Sequence, residues 1–115
     1  MPGVQTLMPV MLDHVNHGKL SLNQLIKLVC ENPTKIFGIQ NKGFIKEGYD
    51  ADFTIVDMNK KITIKNENIE SKCGWSPFND VEFKGTAVAT IISGKIKMKD
   101  GKILGEPEGT PLKFS

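Results

Sequence analysis

The pattern of hydrophobic and polar positions changes once along the chain, from a helical period to a strand period. In the first forty residues, apolar side chains recur three and four positions apart, as on one face of a helix. The first such stretch contains Val4, Leu7, Met8, Met11, Leu12 and Val15, and the second contains Leu22, Leu25, Ile26 and Val29. From Phe44 onward, apolar and polar residues alternate, which is typical of strands. Helices followed by strands, without alternation, predict an α+β arrangement.

Capping signals set the expected helix boundaries. The first helix is predicted over residues 7–16, with its N-cap near Thr6, and Gly18 is expected to end it. The second helix begins at Ser21, because Ser21 and Gln24 have the spacing of a capping box. Asn32 and Pro33 are expected to stop the second helix and to open a short third one that ends at Gly38.

The strand half of the chain is divided by turn signals. Strands are expected at residues 44–45, 51–57, 61–65, 86–92, 95–99 and 102–104. Asn59-Lys60 is predicted as a turn, and Ser93-Gly94 and Asp100-Gly101 as two-residue hairpin turns with positive φ. Residues 66–77 are expected to be irregular, and residues 105–115 to form an extended tail.

Size and charge exclude several classes of partner. The chain has 115 residues and a formal net charge of +2, the size of one ordinary domain without a strong charge bias. We expect no nucleic-acid binding and no membrane span, because no basic face or long apolar run is present. A row of lysines (Lys95, Lys97 and Lys99) is interpreted as one exposed strand face that also guards against edge pairing. Cys30 and Cys73 form no spaced motif, so we expect free thiols and a cytoplasmic location.

His14 and His17 are the most suggestive pair for chemistry, because residues three apart on a helix share a face and could hold a metal ion. However, no third ligand has a natural spacing to them. Imidazoles are also common at a helix C-terminus, where they meet the helix dipole. A solvated helix end is therefore the favoured interpretation, and we assign no metal ligand in this chain.

Other candidate groups also favour structural roles. Asp50, Asp52 and Asp57 could be paired carboxylates, but aspartates at strand ends commonly accept hydrogen bonds from turn N–H groups. Cys73 has no histidine near it in sequence and no helix N-terminus to lower its pKa. Trp75 and Phe78 flank Pro77, and we expect them to anchor a loop to a core. The residues by themselves therefore indicate a scaffold, and we assign no catalytic residue.

Four stretches of the chain resemble sequence motifs of one known family. Residues 46–57, Lys-Glu-Gly-Tyr-Asp-Ala-Asp-Phe-Thr-Ile-Val-Asp, resemble the segment that opens the C-terminal β-part of the amidohydrolase superfamily, to which dihydroorotases belong. Residues 2–9 resemble the Pro-Gly-x-Glu-Thr-x-x-Pro that follows the last barrel strand in dihydroorotases. Residues 32–38 resemble their Asn-Pro-Ala-x-Ile-Phe-Gly. Residues 76–78, Ser-Pro-Phe, resemble the Ser-Pro-Phe of dihydroorotases. Gly85 and residues 92–95 resemble the Gly and the x-x-Gly-x that follow it in that family.

The resemblance implies the end of a (β/α)8 barrel followed by the C-terminal strands of an accessory β-sandwich. Residues 1–43 would be the last barrel helix and the following helices, residues 44–104 the β-rich segment, and residues 105–115 the tail. The parent enzyme would use zinc to interconvert N-carbamoyl-L-aspartate and dihydroorotate, with its metal and catalytic residues upstream of this chain. Pro2 and Gly3 would lie at the loop beside the substrate. Gln5 departs from the pattern, because the family usually has Glu there.

Three functional interpretations remain open. The first is a C-terminal fragment of a dihydroorotase, inactive alone, whose partner is the missing barrel portion or, by dimerisation or domain swapping, a second copy. The second is a non-catalytic scaffold or binding module of dihydroorotase type. The third is a fragment of a hydantoinase-type cyclic amidase.

Overall fold

The computed structural model describes residues 3–114 of the chain. Within that range the α-helices come first: α1 is Leu7–Asn16, α2 is Leu22–Ile26 and α3 is Asn32–Phe37, and a short 3-10 helix, Asn66–Asn68, follows later in the chain. The strands follow: β1 is Phe53–Thr63, β2 is Glu82–Ile92, β3 is Lys95–Lys99 and β4 is Lys102–Ile103. They form one sheet in the order β1-β2-β3-β4. The predicted α+β arrangement is confirmed for these residues.

The chain divides into two compact units. The first combines the residues up to Leu20 with Val56–Ala87, and the second combines Ser21–Ile55 with the residues from Val88 on. Each has a small buried core of its own. Buried apolar side chains are Leu12, Ile64 and Phe83 in the first unit, and Leu25 and Ala89 in the second.

Helix α1 begins and ends where its sequence signals predict. Pro9 is buried in the first turn, where its missing N–H costs no helical hydrogen bond. Gly18 follows the helix with a φ of +73°, the left-handed conformation that glycine adopts without strain. The N-cap differs in one detail. Thr6 caps the helix by position, but its hydroxyl donates to the Gly3 carbonyl at 3.4 Å and makes no capping bond.

Helices α2 and α3 are joined, contrary to the prediction. The capping box is confirmed, because the Gln24 N–H donates to Ser21 Oγ at 3.1 Å and the Ser21 N–H donates to Gln24 Oε1 at 2.8 Å. Asn32, however, has helical φ and ψ of −63° and −42°, so it neither stops one helix nor caps another. A π-helical turn, Lys27–Glu31, connects the two helices. Such a turn rearranges the backbone hydrogen bonds, so the chain can pass Pro33 without ending the helix.

The first part of the sheet also differs from the prediction. Residues 44–45 form no strand, and Ile45 is 84% exposed. The expected turn at Asn59-Lys60 is absent, because β1 continues through it as one strand of 11 residues beside β2. Turn propensity is a weak local preference, and pairing with a long neighbouring strand overrides it.

The two predicted hairpin turns are confirmed. Ser93 and Gly94 have φ of +51° and +78°, and Asp100 and Gly101 have φ of +51° and +82°. Positive φ at both central residues is the type I′ geometry, which matches the twist of the flanking strands. Strand β3 therefore pairs antiparallel with both β2 and β4.

In the first unit, helix α1 is joined to β1 and β2 at a close contact that we call the α1–β2 junction. Asp13 Oδ1 accepts a hydrogen bond from the Lys84 N–H at 2.8 Å. Asn16 Nδ2 donates to the Lys84 carbonyl at 2.8 Å and to the Met58 carbonyl at 2.9 Å. A Cβ at Gly85 would lie 2.8 Å from the Leu12 Cβ, so only glycine lets the helix come this close.

Candidate functional site

The turn that leads into α1 contains Gly3, one of the two residues predicted beside the substrate. The other, Pro2, lies outside the described residues. The Gly3 carbonyl accepts a hydrogen bond from the Leu7 N–H at 3.1 Å, which connects the turn to the helix. Open space surrounds the position where Gly3 would carry a Cβ, and Val4 beside it is 97% exposed. Thr6, in contrast, is buried. The turn is therefore anchored at its helical end and open at its Gly3 end.

Gln5 connects this turn to a segment more than sixty residues later. Its Nε2 donates to the Asn68 carbonyl at 2.9 Å, and its Oε1 accepts from the Glu70 N–H at 2.8 Å. Because one partner is an acceptor and the other a donor, a single orientation of the amide satisfies both bonds. Sequence reasoning noticed Gln5 only as a departure from a pattern. No local periodicity could have revealed partners this distant.

The segment that Gln5 contacts is a loop of residues 66–79, which we call the 66–79 loop. Its base is closed by side-chain bonds to the backbone: Asn79 Oδ1 accepts from the Asn66 N–H at 2.9 Å, and Asn66 Oδ1 accepts from the Ser76 N–H at 2.8 Å. Phe78 packs edge-to-face on Phe83, with ring centroids 5.6 Å apart. This contact supports the predicted anchoring role of Phe78.

Cys73 and Trp75 are at the exposed end of the 66–79 loop. Trp75 is 45% exposed, so the expectation that it anchors the loop to a core is wrong. The Cys73 thiol is free and exposed. Its Sγ lies 3.4 Å from Ser71 Oγ, and this contact lowers the pKa of the thiol, helped by a backbone contact at Trp75. No histidine is among the hydrogen-bond partners of Cys73 in the described structure.

The aspartates around β1 serve the fold, as predicted. In the second unit, Asp52 Oδ1 accepts from the Ser93 N–H at 2.9 Å, and its other oxygen pairs with Lys42. Asp50 also pairs with Lys42, at 3.0 Å. The hydrogen bond from Lys42, together with the Ser93 N–H, holds the pKa of the Asp52 carboxyl below its usual range. Asp57 accepts from the N–H of the residue two positions later, at 2.9 Å. Asp50 and Asp52 therefore bind groups at the approach to β1, as predicted, whereas Asp57 lies inside β1 and not at a strand end.

The two histidines do not converge on a common point. His17 Nδ1 lies 2.8 Å from the Asp13 carbonyl oxygen and 3.3 Å from Asp13 Oδ2, so it is engaged with its own helix. His14 Nδ1 is buried and has no hydrogen-bond partner among residues 3–114. Zinc needs three or four ligands around one point, and residues 3–114 bring no three His, Cys, Asp or Glu side chains together in that way. The described part of this chain does not fit a zinc site.

The lysine row on β3 differs from its prediction. Strand β3 lies between β2 and β4 in the sheet, and β4 pairs with Met98 and Lys99, so the lysine row is not on an edge strand as predicted. Glu108, in the tail, pairs with both Lys95 and Lys97, and the Lys97 side chain is only 18% exposed. Lys97 also donates to the Glu106 carbonyl at 3.0 Å. The extended tail therefore covers part of the face that was expected to be free.

Comparison with known proteins gives the family. The profile of the amidohydrolase family matches residues 3–97. The chain belongs to the amidohydrolase family. It is 46% identical over 109 residues to a dihydroorotase from Pyrococcus furiosus, a match that covers 95% of this chain and 26% of the relative. It is 37% identical to an allantoinase from Desulfitobacterium hafniense, with 95% and 24% covered.

A solved structure shares the fold of this amidohydrolase chain. The L-hydantoinase (dihydropyrimidinase) from Arthrobacter aurescens superposes with a TM-score of 0.87 and 35% identity, over 90% of this chain and 24% of that one. The chain thus spans about a quarter of the length of these relatives. Among residues 3–114, no helix has the length and apolar character needed to cross a membrane.

Proposed function

We propose that this amidohydrolase chain is the C-terminal portion of a dihydroorotase-like zinc enzyme, which interconverts N-carbamoyl-L-aspartate and dihydroorotate in pyrimidine biosynthesis in the cytoplasm. The observation that carries the proposal is the 46% identity to a dihydroorotase over 95% of this chain. In this proposal, residues 1–43 complete the barrel and residues 44–104 supply strands of the β-sandwich. Zinc and the catalytic residues belong to the barrel portion, and Pro2 and Gly3 lie beside the substrate.

The exposed apolar side chains of the helices support the proposal that a large partner packs against them. In the second unit, five apolar side chains on or beside the helical segment are each at least 40% exposed, namely Leu22, Ile26, Leu28, Ile36 and Phe37. We call this set the apolar helix surface. Leu22 and Ile26 are four residues apart and so share one face of α2, and contiguous exposed apolar patches commonly mark an interface. We propose that the barrel portion of the same enzyme covers it, and that without that portion a second copy covers it by dimerisation or domain swapping.

A chimera tests the proposed function. Residues 3–114 would replace the matching segment of the Pyrococcus furiosus dihydroorotase, and hydrolysis of dihydroorotate would be measured. We expect turnover within about tenfold of the host enzyme, because a correctly packed supporting segment preserves the geometry of the site. The 115-residue chain alone is expected to show none. A chimera that folds but lacks activity, or an isolated chain that turns over dihydroorotate, would contradict the proposal.

A hydantoinase-type cyclic amidase is the second candidate, favoured by the structural match to the L-hydantoinase. The same residues would replace the matching segment of that enzyme, and hydantoin hydrolysis would be measured. If the chain is of dihydroorotase type, the first chimera retains the larger fraction of its host's activity. The opposite ranking, by tenfold or more, favours the hydantoinase interpretation.

A further inference from the structure

Gln5 binds the 66–79 loop in the way that a strand residue binds its neighbour. Its two partners are the Asn68 carbonyl and the Glu70 N–H, which flank Ile69. Ile69 is extended, with φ and ψ of −81° and 120°. In a parallel ladder, one residue pairs with the carbonyl and the N–H on either side of an extended residue. The Gln5 amide reproduces that pairing with a side chain.

The Gln5 contact also joins the outer part of the loop to a distant segment of the chain. Among residues 3–114, the side-chain bonds that close the loop lie at its base, at Asn66, Ser76 and Asn79. Within the described residues, the hydrogen bonds of residues 67–75 to groups outside the 66–79 loop are the two to Gln5 and one from the Asn68 N–H to the adjoining Lys65 carbonyl at 2.9 Å. Among residues 3–114, the two Gln5 bonds are therefore the hydrogen bonds that join the outer part of the loop to the Gly3–Thr6 turn.

We propose that Gln5 is a positioning residue that couples the 66–79 loop to the Gly3–Thr6 turn. The loop and the turn together then form one rim of the substrate site. This inference rests on the proposed function, which assigns Pro2 and Gly3 to the substrate. Gln5 touches neither zinc nor the reacting atoms. Its loss changes how well the rim holds the substrate and leaves the chemistry intact.

Substitutions at Gln5 separate the two bonds. Gln5→Ala removes both. Gln5→Glu keeps the acceptor for the Glu70 N–H but cannot donate while ionised, and it places a carboxylate against the Asn68 carbonyl. Gln40→Ala is the matched control, because Gln40 is also exposed and the described structure shows no hydrogen bond of its side chain.

The first measurement is made on the 115-residue chain and needs no activity. Hydrogen exchange at the Glu70 amide is expected to accelerate about threefold to tenfold in Gln5→Ala, because the bond that protects it is lost. Gln5→Glu should be intermediate and should recover protection at a pH low enough to protonate the new carboxyl. Gln40→Ala should match the parent chain. Unchanged exchange in Gln5→Ala would overturn the coupling.

The second measurement uses the dihydroorotase chimera. Gln5→Ala is expected to raise KM about threefold to tenfold with kcat within twofold, the pattern of lost uniform binding. Faster exchange without any change in KM would overturn the substrate role. A threefold to tenfold fall in kcat would overturn it as well. A chimera with no activity before substitution refutes the proposed function and the substrate role with it. The exchange result then still decides the coupling itself.

Discussion

The α1–β2 junction and the tail at Lys95 and Lys97 both join distant parts of the sequence, but they do so by different physical means. The junction lies in the first unit, where Leu12 is fully buried and Asp13 and Asn16 bind backbone groups. The tail lies in the second unit, where Glu108 reaches two lysines by ion pairs at the surface. The first contact depends on shape and on backbone partners, and the second depends on charge.

This difference predicts unequal contributions to stability. A close-packed contact tolerates no extra atom, because the surrounding core cannot relax fully around it. An exposed ion pair gains little, since water and salt screen the charges and both side chains lose freedom. The junction is therefore expected to matter far more for folding than the tail, although the tail makes more ion pairs.

The largest effect is expected for Gly85→Ala. Gly85 has a φ of +105°, and a Cβ there would lie 2.8 Å from the Leu12 Cβ. Backbone strain and the steric clash together should lower the free energy of unfolding by about 3 kcal/mol or more. Urea denaturation of the chain measures it.

Gly94→Ala is the control for Gly85→Ala. Gly94 also has a positive φ, +78°, but nothing lies within 4 Å of its added Cβ. The Gly94→Ala variant should have a free energy of unfolding lower by about 1 kcal/mol, from backbone strain alone. Equal losses in the two variants would show that close packing at the junction contributes nothing.

An intermediate effect is expected for Asn16→Asp, which changes the amide to a carboxylate of the same shape. The carboxylate cannot donate to the Lys84 and Met58 carbonyls and repels both, so about 1–2 kcal/mol of stability should be lost. Asn23→Asp is the control, because Asn23 lies exposed in the first turn of α2, where an acid is favourable. If Asn23→Asp destabilises as much, the junction bonds are not the cause.

The smallest effect is expected for Glu108→Gln. Hydrogen bonds and charge from Lys97 and Lys95 hold the pKa of Glu108 below its usual range. A carboxyl with a lowered pKa contributes above its ordinary pKa, and the contribution disappears as the pH falls through the lowered value. The substitution, acid or high salt should each release the tail, seen as shifted NMR signals of residues 105–109, with little change in the urea midpoint. A large midpoint shift would contradict the comparison.

Local signals predicted the elements whose ends are set by neighbouring residues. Helix α1 begins and ends as expected because Pro9 suits a first turn and Gly18 accepts positive φ. The capping box at Ser21 and the hairpin turns at Ser93 and Asp100 follow for the same reason. The predicted helix stop at Asn32 and the predicted turn at Asn59 were wrong. At Asn32 the helix continues through a π-helical turn, and at Asn59 the chain stays in a strand that pairs with a long neighbour.

The candidate site was less predictable than the fold. The resemblance pointed to Gly3, but the bonds of Gln5 to Asn68 and Glu70 span more than sixty residues and leave no periodic signal. The Asp13 and Asn16 contacts with Lys84 were missed in the same way. Polar side chains that bind a distant backbone have no preferred spacing, so sequence patterns do not reveal them.

By itself, the amino-acid sequence determined the change from helix to strand, the main caps and turns, and the resemblance to dihydroorotases. Each of these depends on the chemistry of a few adjacent residues. Tertiary structure alone decided that β1 is one strand, that Gly85 must lack a side chain, and that Gln5 holds the 66–79 loop. These features require groups far apart in the chain to meet within a few ångströms, and only the folded backbone brings them together.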